Sequence, residues 1–125
     1  FLVFGGLLII IDQLSKILIR LHGGFYLCNP YIAFGLKIPE ILFWIFWIII
    51  ILFLIVCLCK KYFIHHTLYI ILILSGALSN LIDRIWHGCI VDFINLSFGP
   101  IFNLADFFIT FGVIMLIIAQ LKVKR

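Results

Sequence analysis

The feature that constrains this chain most is an uninterrupted apolar segment, residues 41–59, which contains no charged side chain. Its length matches the roughly 20 residues that an α-helix needs to cross a lipid bilayer. The rest of the chain is similar in kind, since 66% of its 125 residues are hydrophobic and only 11% are charged. A soluble domain would carry roughly 25% charged residues. We therefore expect a single membrane-embedded domain over residues 1–125.

Three further segments have the length and apolarity of membrane spans, which predicts an all-α membrane protein with four transmembrane helices. The spans are predicted at residues 1–20, 41–59, 67–86 and 104–121. The first lacks the basic start and small-residue cleavage site of a signal peptide, so we expect it to be retained. Turn residues and β-branched residues mix in segment 25–36, which predicts a small extracytoplasmic sheet lying on the membrane.

Two clusters of basic residues indicate the orientation of the spans. They comprise Lys60, Lys61, Lys122, Lys124 and Arg125. Because one cluster follows the second span and the other follows the fourth, both lie on the same side, and the positive-inside rule makes that side cytoplasmic. The N- and C-termini are then cytoplasmic, and residues 21–40 and 87–103 face outward. We interpret the net charge of +4 as a topology signal and not as a nucleic-acid surface.

The cysteines and histidines show no spacing typical of a metal site. Cys28 and Cys89 both lie in outward segments, where a disulfide between them is one open possibility. Motifs of zinc metalloproteases, serine hydrolases and P-loop proteins are absent from the sequence. We expect neither a metal nor a cofactor.

Two aspartates near the predicted outer ends of the spans are the best candidates for chemistry. An Asp at the centre of a membrane helix costs about 2.5–3.5 kcal/mol, so such residues persist because they pair or react. Asn103 and Asp106 have the spacing of a helix-capping box, which is a structural explanation for Asp106. Asp92 lies between apolar residues, with no partner nearby in sequence. Placed at the same level, the two carboxyl groups would share one proton and activate a water, with Asp106 favoured as the ionised member by the helix dipole.

Other polar residues in the spans follow helical spacing. Asp12 and Lys16 stand at i and i+4 in the first span, which predicts an ion pair that locks this helix into the bundle. Asn80, Asp83 and Arg84 share one face of the third span. Asp83 and Arg84 are about 100° apart on a helix, so each needs a different partner. This face is either purely structural or, through the arginine, able to hold a peptide carbonyl or a phosphate.

Five short motifs follow one another along nearly the whole chain. They are Asp12-Gln-Leu-Ser-Lys16, Asn29-Pro-Tyr-Ile-Ala-Phe-Gly35, Gly76-Ala-Leu-Ser-Asn-Leu-Ile-Asp-Arg84, Gly88-Cys-Ile-Val-Asp-Phe-Ile94 and Phe102-Asn-Leu-Ala-Asp106. In content and order they resemble the motifs of the bacterial lipoprotein signal peptidases (signal peptidase II), a family of aspartyl membrane proteases.

The resemblance implies a role for each of these polar residues. Asp92 and Asp106 would be the catalytic aspartates. Substrate positioning or orientation of the dyad would fall to Asn29, Asn80, Arg84 and Asn103, and structural support to Asp12, Lys16 and Asp83. The implied activity is removal of the signal peptide from a diacylglyceryl-modified prolipoprotein, by cleavage before the lipidated cysteine at the outer face of the bacterial cytoplasmic (inner) membrane. The implied partners are that substrate and membrane lipid, without nucleic acid, and the chain is compatible with a monomer.

The chain departs from the family pattern in two places. Tyr31 stands where the second motif usually has Gly, and Ser79 replaces another common Gly. Together with short outer loops, these changes affect substrate selection by the loops more than catalysis. Gly76, one turn before Asn80, is expected to let another helix approach closely.

A different class of protein is the alternative: a small transport or ion-pathway subunit with a structural polar core. Its polar track would comprise Asp12, Lys16, Asp83 and Arg84. Such a track needs polar residues through the full depth of the membrane, whereas the cytoplasmic halves of spans two, three and four are almost wholly apolar. A non-catalytic relative acting as an interaction module is a third possibility, disfavoured because both candidate aspartates are present.

Overall fold

The computed structural model describes residues 1–30, 37–60 and 66–123. Its helices are Leu2–Leu21 (α1), Glu40–Cys59 (α2), Thr67–His87 (α3) and Leu104–Val123 (α4), and its strands are Leu27–Asn29 (β1) and Ile90–Asp92 (β2). Each of these four helices is long and apolar enough to cross a membrane. The predicted fold class, four transmembrane helices with a small sheet, is confirmed.

Helix α3 is the centre of the bundle. It packs against each of the other three helices. Half of the residues in its most apolar 18-residue stretch are buried, compared with 22% or less in the corresponding stretches of the other helices. Large apolar side chains of α2 point outward instead, among them Ile41, Ile49 and Phe53. Such a surface is stable only in contact with lipid. The polar face of α3 is therefore enclosed by protein.

Two glycines let α3 and α4 approach closely. A Cβ atom added to Gly76 would lie 2.7 Å from Cγ1 of Ile109, and one added to Gly112 would lie 2.8 Å from the carbonyl oxygen of Tyr69. Real Cβ contacts are essentially never this short. Small residues at a helix interface allow such close packing in membranes. The expectation for Gly76 is confirmed, and the contact fixes the start of α4 against α3.

The two strands form an antiparallel pair outside the helices. Leu27 lies opposite Asp92, and Asn29 lies opposite Ile90. A disulfide joins Cys28 to Cys89, so the open possibility of this pairing is realised. The sheet is thus held both by its ladder and by a covalent link.

Strand β1 falls within the segment predicted to form a sheet, but its partner was not predicted. Three residues are too few to show the alternating pattern of a strand, so β2 left no clear signal. Residues 31–36 of the predicted segment, which include Tyr31, lie outside the described residues. Gly88, with a φ of 70°, ends α3 and turns the chain into β2. A bridge between Ile94 and Phe102 then returns it to the start of α4.

Candidate active site

Three charged side chains from α1 and α3 form a buried ion cluster. Nζ of Lys16 lies 2.6 Å from Oδ2 of Asp12 and 2.8 Å from Oδ2 of Asp83. None of the three is more than 2% exposed. Because a buried charge is costly unless it is paired and hydrogen-bonded, each member depends on the others. The predicted pair of Asp12 and Lys16 is present, and Asp83 has a partner distinct from that of Arg84.

This ion cluster also binds the backbone of the elements that carry the candidate aspartates. Oδ1 of Asp12 accepts a hydrogen bond from the Ala105 N–H at 2.9 Å, in the first turn of α4. Oδ2 of Asp83 accepts one from the Val91 N–H at 3.1 Å, in β2. The cluster therefore fixes both elements relative to α1 and α3.

Two residues of this network were not identified as site residues from the sequence. Nε2 of Gln13 donates to the hydroxyl and carbonyl oxygens of Ser79, both at 3.0 Å, and to Oδ1 of Asp83 at 2.8 Å. The Ser79 hydroxyl donates to Oδ2 of Asp12 at 2.7 Å. The available signal was helical spacing, since Ser79 lies one turn before Asp83. The departure from Gly at this position thus supplies a hydroxyl group that the buried carboxylate uses.

Asp92 and Asp106 are both hydrogen-bonded to Asn103. Nδ2 of Asn103 donates to Oδ1 of Asp92 at 2.8 Å, and Oδ1 of Asn103 accepts from the Asp106 N–H at 2.9 Å. In return, Oδ2 of Asp106 accepts from the Asn103 N–H at 3.3 Å. These last two bonds form the predicted capping box. The same asparagine therefore caps α4 and links the two carboxylates.

Two further asparagines bind the outer oxygens of the pair. Nδ2 of Asn80 donates to Oδ1 of Asp106 at 2.8 Å, and Nδ2 of Asn29 donates to Oδ2 of Asp92 at 3.2 Å. Oδ1 of Asn80 accepts from Lys16 at 3.0 Å and from Asn103 at 3.1 Å. Because two donors occupy its oxygen, the amide of Asn80 can only present its NH₂ group to Asp106. Each of the four carboxylate oxygens thus accepts a hydrogen bond.

The environment of Asp92 favours its protonated form. Burial raises the pKa of this carboxyl group to about 6, and the nearby charge of Asp106 adds to the rise. The hydrogen bonds from Asn29 and Asn103 and the positive charge of Lys16 lower the pKa and partly offset these effects. A carboxyl group with this pKa holds or releases a proton close to neutral pH, as acid–base catalysis requires.

Both aspartates face one cavity of about 730 Å³ between α2 and α4. Its polar wall comprises Asn29, Asn80, Arg84, Asp92 and Asp106. Its apolar walls include Phe43, Phe46 and Trp47 of α2 and Phe107 and Ile109 of α4. Asn103 lies behind the polar wall and is fully buried. The structure therefore brings all six predicted catalytic and positioning residues together, whereas the ion cluster lies behind them.

Arg84 extends the polar wall toward β1. Its Nη1 donates to the carbonyl oxygen of Pro30 at 2.9 Å, and its guanidinium carbon lies 4.0 Å from the centre of the Phe43 ring. Arg20 is separate from this wall, since it is exposed and contacts His87 at 2.8 Å.

Within residues 1–30, 37–60 and 66–123, no three His, Cys, Asp or Glu side chains are grouped to hold a metal ion.

Comparison with known proteins shows the family of this chain. A sequence profile of the signal peptidase (SPase) II family matches residues 4–122. The chain belongs to the signal peptidase II family. It is therefore a multi-pass membrane protease, and the alternative of a small transport subunit is not favoured.

Individual relatives in this family match over most or part of the chain. The lipoprotein signal peptidase of Moorella thermoacetica is 37% identical over 134 residues, which cover 93% of this chain and 89% of that protein. That of Caldicellulosiruptor bescii is 48% identical over 75 residues, covering 60% of this chain and 50% of the relative. Two solved structures of bacterial membrane enzymes match with a TM-score of 0.85 and 32% identity. They cover 97% of this chain, which in turn covers 87% and 92% of theirs.

Proposed function

We propose that this protein is an aspartic endopeptidase that cleaves diacylglyceryl-modified prolipoproteins before the lipidated cysteine. Membership of the signal peptidase II family supports the removal of signal peptides from prolipoproteins. The observation that carries the aspartic mechanism is the pair Asp92 and Asp106, which face one cavity and are joined through Asn103.

In this mechanism one water molecule is held between the two carboxyl groups. Asp106 lies in the first turn of α4, where the helix dipole favours an anion, so it acts as the base. It takes a proton from the water as the water oxygen attacks the scissile carbonyl carbon. Asp92, whose pKa is raised to about 6, donates its proton to the carbonyl oxygen. The proton held by Asp106 then passes to the amide nitrogen as the carbon–nitrogen bond breaks, and Asp92 recovers its proton from the intermediate. Because the two groups are coupled, the apparent pKa values belong to the pair.

The cavity suits a substrate with both a peptide and a lipid part. Its polar wall would bind the peptide backbone, where the guanidinium group of Arg84 already holds a carbonyl oxygen, that of Pro30. The aromatic walls on α2 and α4 would accept apolar side chains of the signal peptide and the acyl chains. Membrane lipid would cover the remaining outer surface of the helices.

The positions of the basic residues support an active site at the outer face of the cytoplasmic membrane. Phe43 and Asp106, which line the cavity, lie near the starts of α2 and α4. Lys60 and Lys122 lie at the opposite ends of the same helices. Since basic residues favour the cytoplasmic side, both termini would be cytoplasmic and the cavity would face outward.

The test is processing of a purified diacylated prolipoprotein by the protein in lipid or detergent. We expect the wild type to release the signal peptide and globomycin, the family's cyclic peptide inhibitor, to block it. Asp92→Asn and Asp106→Asn should each reduce the rate to background while the protein stays inserted. Glu40→Gln is the matched control, because this carboxylate is exposed at the start of α2 and should be dispensable. Full activity of either Asp→Asn variant would contradict the mechanism.

A second arm of the experiment tests the substrate class. The same prolipoprotein without the diacylglyceryl group should be cleaved much more slowly, because the apolar walls of the cavity lose the acyl chains that they would bind. Equal rates on both substrates would contradict the lipid requirement and leave the aspartic mechanism unaffected.

A further inference from the structure

The hydrogen bond between Asn29 and Asp92 spans two short elements of the outer sheet. Asn29 ends β1 and Asp92 ends β2, and each strand has only three residues. Two of the three residues of β1 are exposed. A two-stranded ladder of this size is marginally stable by itself. The ladder alone would therefore not hold the Asn29 amide firmly against the Asp92 carboxylate.

A covalent link joins the same two chain segments, next to Asn29 on β1 and three residues before Asp92 in the other segment. Cys28 directly precedes Asn29, and Cys89 directly precedes the first residue of β2. The Cα atoms of the two cysteines are 5.4 Å apart, and Cys89 is 4% exposed. The link joins segments that are 61 residues apart in sequence. It therefore restricts the separation of β1 from β2, and with it the distance by which the Asn29 amide can move away from the Asp92 carboxylate.

We propose that the Cys28–Cys89 disulfide is a positioning element of the active site, which keeps the amide of Asn29 on the carboxylate of Asp92. The inference rests on the proposed function, in which Asp92 is the acid. Neither cysteine lines the cavity, so the two act through the strands that they join.

Opening the disulfide would change the surroundings of Asp92 in a defined way. The charges that remain are Asp106 on α4, Lys16 on α1, and Asp83 and Arg84 on α3. Loss of the amide removes a hydrogen bond that stabilises the carboxylate, so the pKa of Asp92 rises further. The ion pairs of Lys16 with Asp12 and Asp83 lie within α1 and α3 and do not involve the strands, so we expect the bundle to stay folded.

The experiment compares the oxidised wild type with the same protein after treatment with dithiothreitol. The sulfur–sulfur bond breaks and two thiols form, as the dithiol supplies two electrons and two protons and becomes a cyclic disulfide. We expect prolipoprotein processing to slow by roughly 10–100-fold, mostly in kcat, because the acid is misplaced. The alkaline limb of the pH–rate profile should move to higher pH. Cys28→Ser should reproduce both changes without reductant.

A control separates the disulfide from other thiol chemistry. Cys59 is an exposed free cysteine at the opposite end of α2 from the cavity. Cys59→Ser should match the wild type in both the oxidised and the reduced state. A wild-type rate and pH profile that are unchanged by complete reduction would overturn the inference.

A double-mutant comparison tests whether the disulfide acts through Asn29. In Asn29→Ala the amide is already gone, so reduction should add little further loss of activity and no further shift of the pH profile. An equal loss in Asn29→Ala and in the wild type, with unmoved profiles, would mean that the disulfide is merely structural and would refute the proposal.

A readout without catalysis distinguishes this inference from the proposed function. The side-chain carboxyl carbon of Asp92, labelled with ¹³C, can be titrated by NMR in the oxidised and reduced protein. We expect the apparent pKa of Asp92 to be higher after reduction, and an unchanged titration would contradict the positioning role. If the oxidised protein does not cleave prolipoproteins at all, the proposed function fails, while this titration still decides the inference.

Discussion

Lys16 donates a hydrogen bond of 3.0 Å to the side-chain oxygen of Asn80, and the NH₂ group of the same amide donates to Asp106 at 2.8 Å. A buried cation is thereby connected through one amide to a candidate catalytic carboxylate. Polarisation of an amide at its oxygen strengthens the hydrogen bond that its nitrogen donates. The ion cluster and the aspartate pair are therefore one network.

The stability of this network can be measured by removing its cation. Lys16→Met leaves the buried carboxylates of Asp12 and Asp83 without their ammonium partner. We expect the free energy of unfolding to fall by about 3–5 kcal/mol, as for other broken buried ion pairs. Chemical or thermal unfolding in detergent measures the change. Arg20→Met is the control, because Arg20 is exposed and its hydrogen bond to His87 lies at the surface, so its loss should cost less than about 1 kcal/mol. Similar effects of the two substitutions would show that the cluster contributes little.

The raised pKa of Asp92 predicts a specific dependence of stability on pH. Its value is about 6 in the folded protein and about 3.8 in the unfolded chain. Because the folded protein disfavours the ionised form, ionisation of Asp92 lowers the free energy of unfolding. This loss is absent below pH 4, grows between pH 4 and 6, and is constant above pH 6. Asp92→Asn cannot ionise and avoids this loss. The difference in free energy of unfolding between Asp92→Asn and the wild type should therefore shift in favour of the variant by roughly 1–3 kcal/mol from pH 4 to pH 7. Thermal unfolding from pH 4 to pH 8 measures this, and a difference independent of pH would argue against it.

Arg84 should matter through its geometry and not only through its charge. Arg84→Lys keeps the positive charge but loses the planar group that lies over Phe43 and donates to the Pro30 carbonyl. We expect processing of the prolipoprotein to slow by about tenfold, with KM affected, because the wall of the cavity is altered. Arg20→Lys is the matched control and should leave the kinetics unchanged. Wild-type kinetics in Arg84→Lys would indicate that charge alone suffices.

The sequence predicted the helices well because their signal is long. Apolar segments of about 20 residues have few alternatives in lipid, and the pairing of Asp12 with Lys16 follows from spacing on one helix. Strand β2 and the roles of Gln13 and Ser79 were missed, since a three-residue strand has no pattern and a polar side chain does not reveal its distant partner. That Asp92 and Asp106 lie at the same level was a hypothesis from their positions near the ends of the spans, which the resemblance to the family supported. The local sequence could not establish it, because the turn after Gly88 has no pattern that fixes where β2 runs.

The capping box illustrates how two explanations of one residue can hold together. The sequence offered a structural and a catalytic explanation for Asp106. In the structure, its Oδ2 accepts the Asn103 N–H while its Oδ1 faces Asn80 at the cavity. One carboxylate has enough acceptor sites for both tasks. The spacing alone could not decide between them, because the capping contact leaves the second oxygen facing the cavity, where the proposed catalytic role would need it.

The close contact of α3 with α4 should be as important for activity as for stability. A Cβ atom on Gly76 would clash with the carbonyl oxygen of Ala105 and with Ile109, so Gly76→Ala must push away the start of α4, which carries Asp106. We expect a loss of about 1–3 kcal/mol in the free energy of unfolding and a clear loss of processing activity. Gly6→Ala is the control, since no atom lies within 4 Å of its added Cβ and alanine favours a helix. It should be neutral or slightly stabilising and fully active. Equal behaviour of the two variants would mean that the helix contact is loose enough to absorb a methyl group without moving the aspartate.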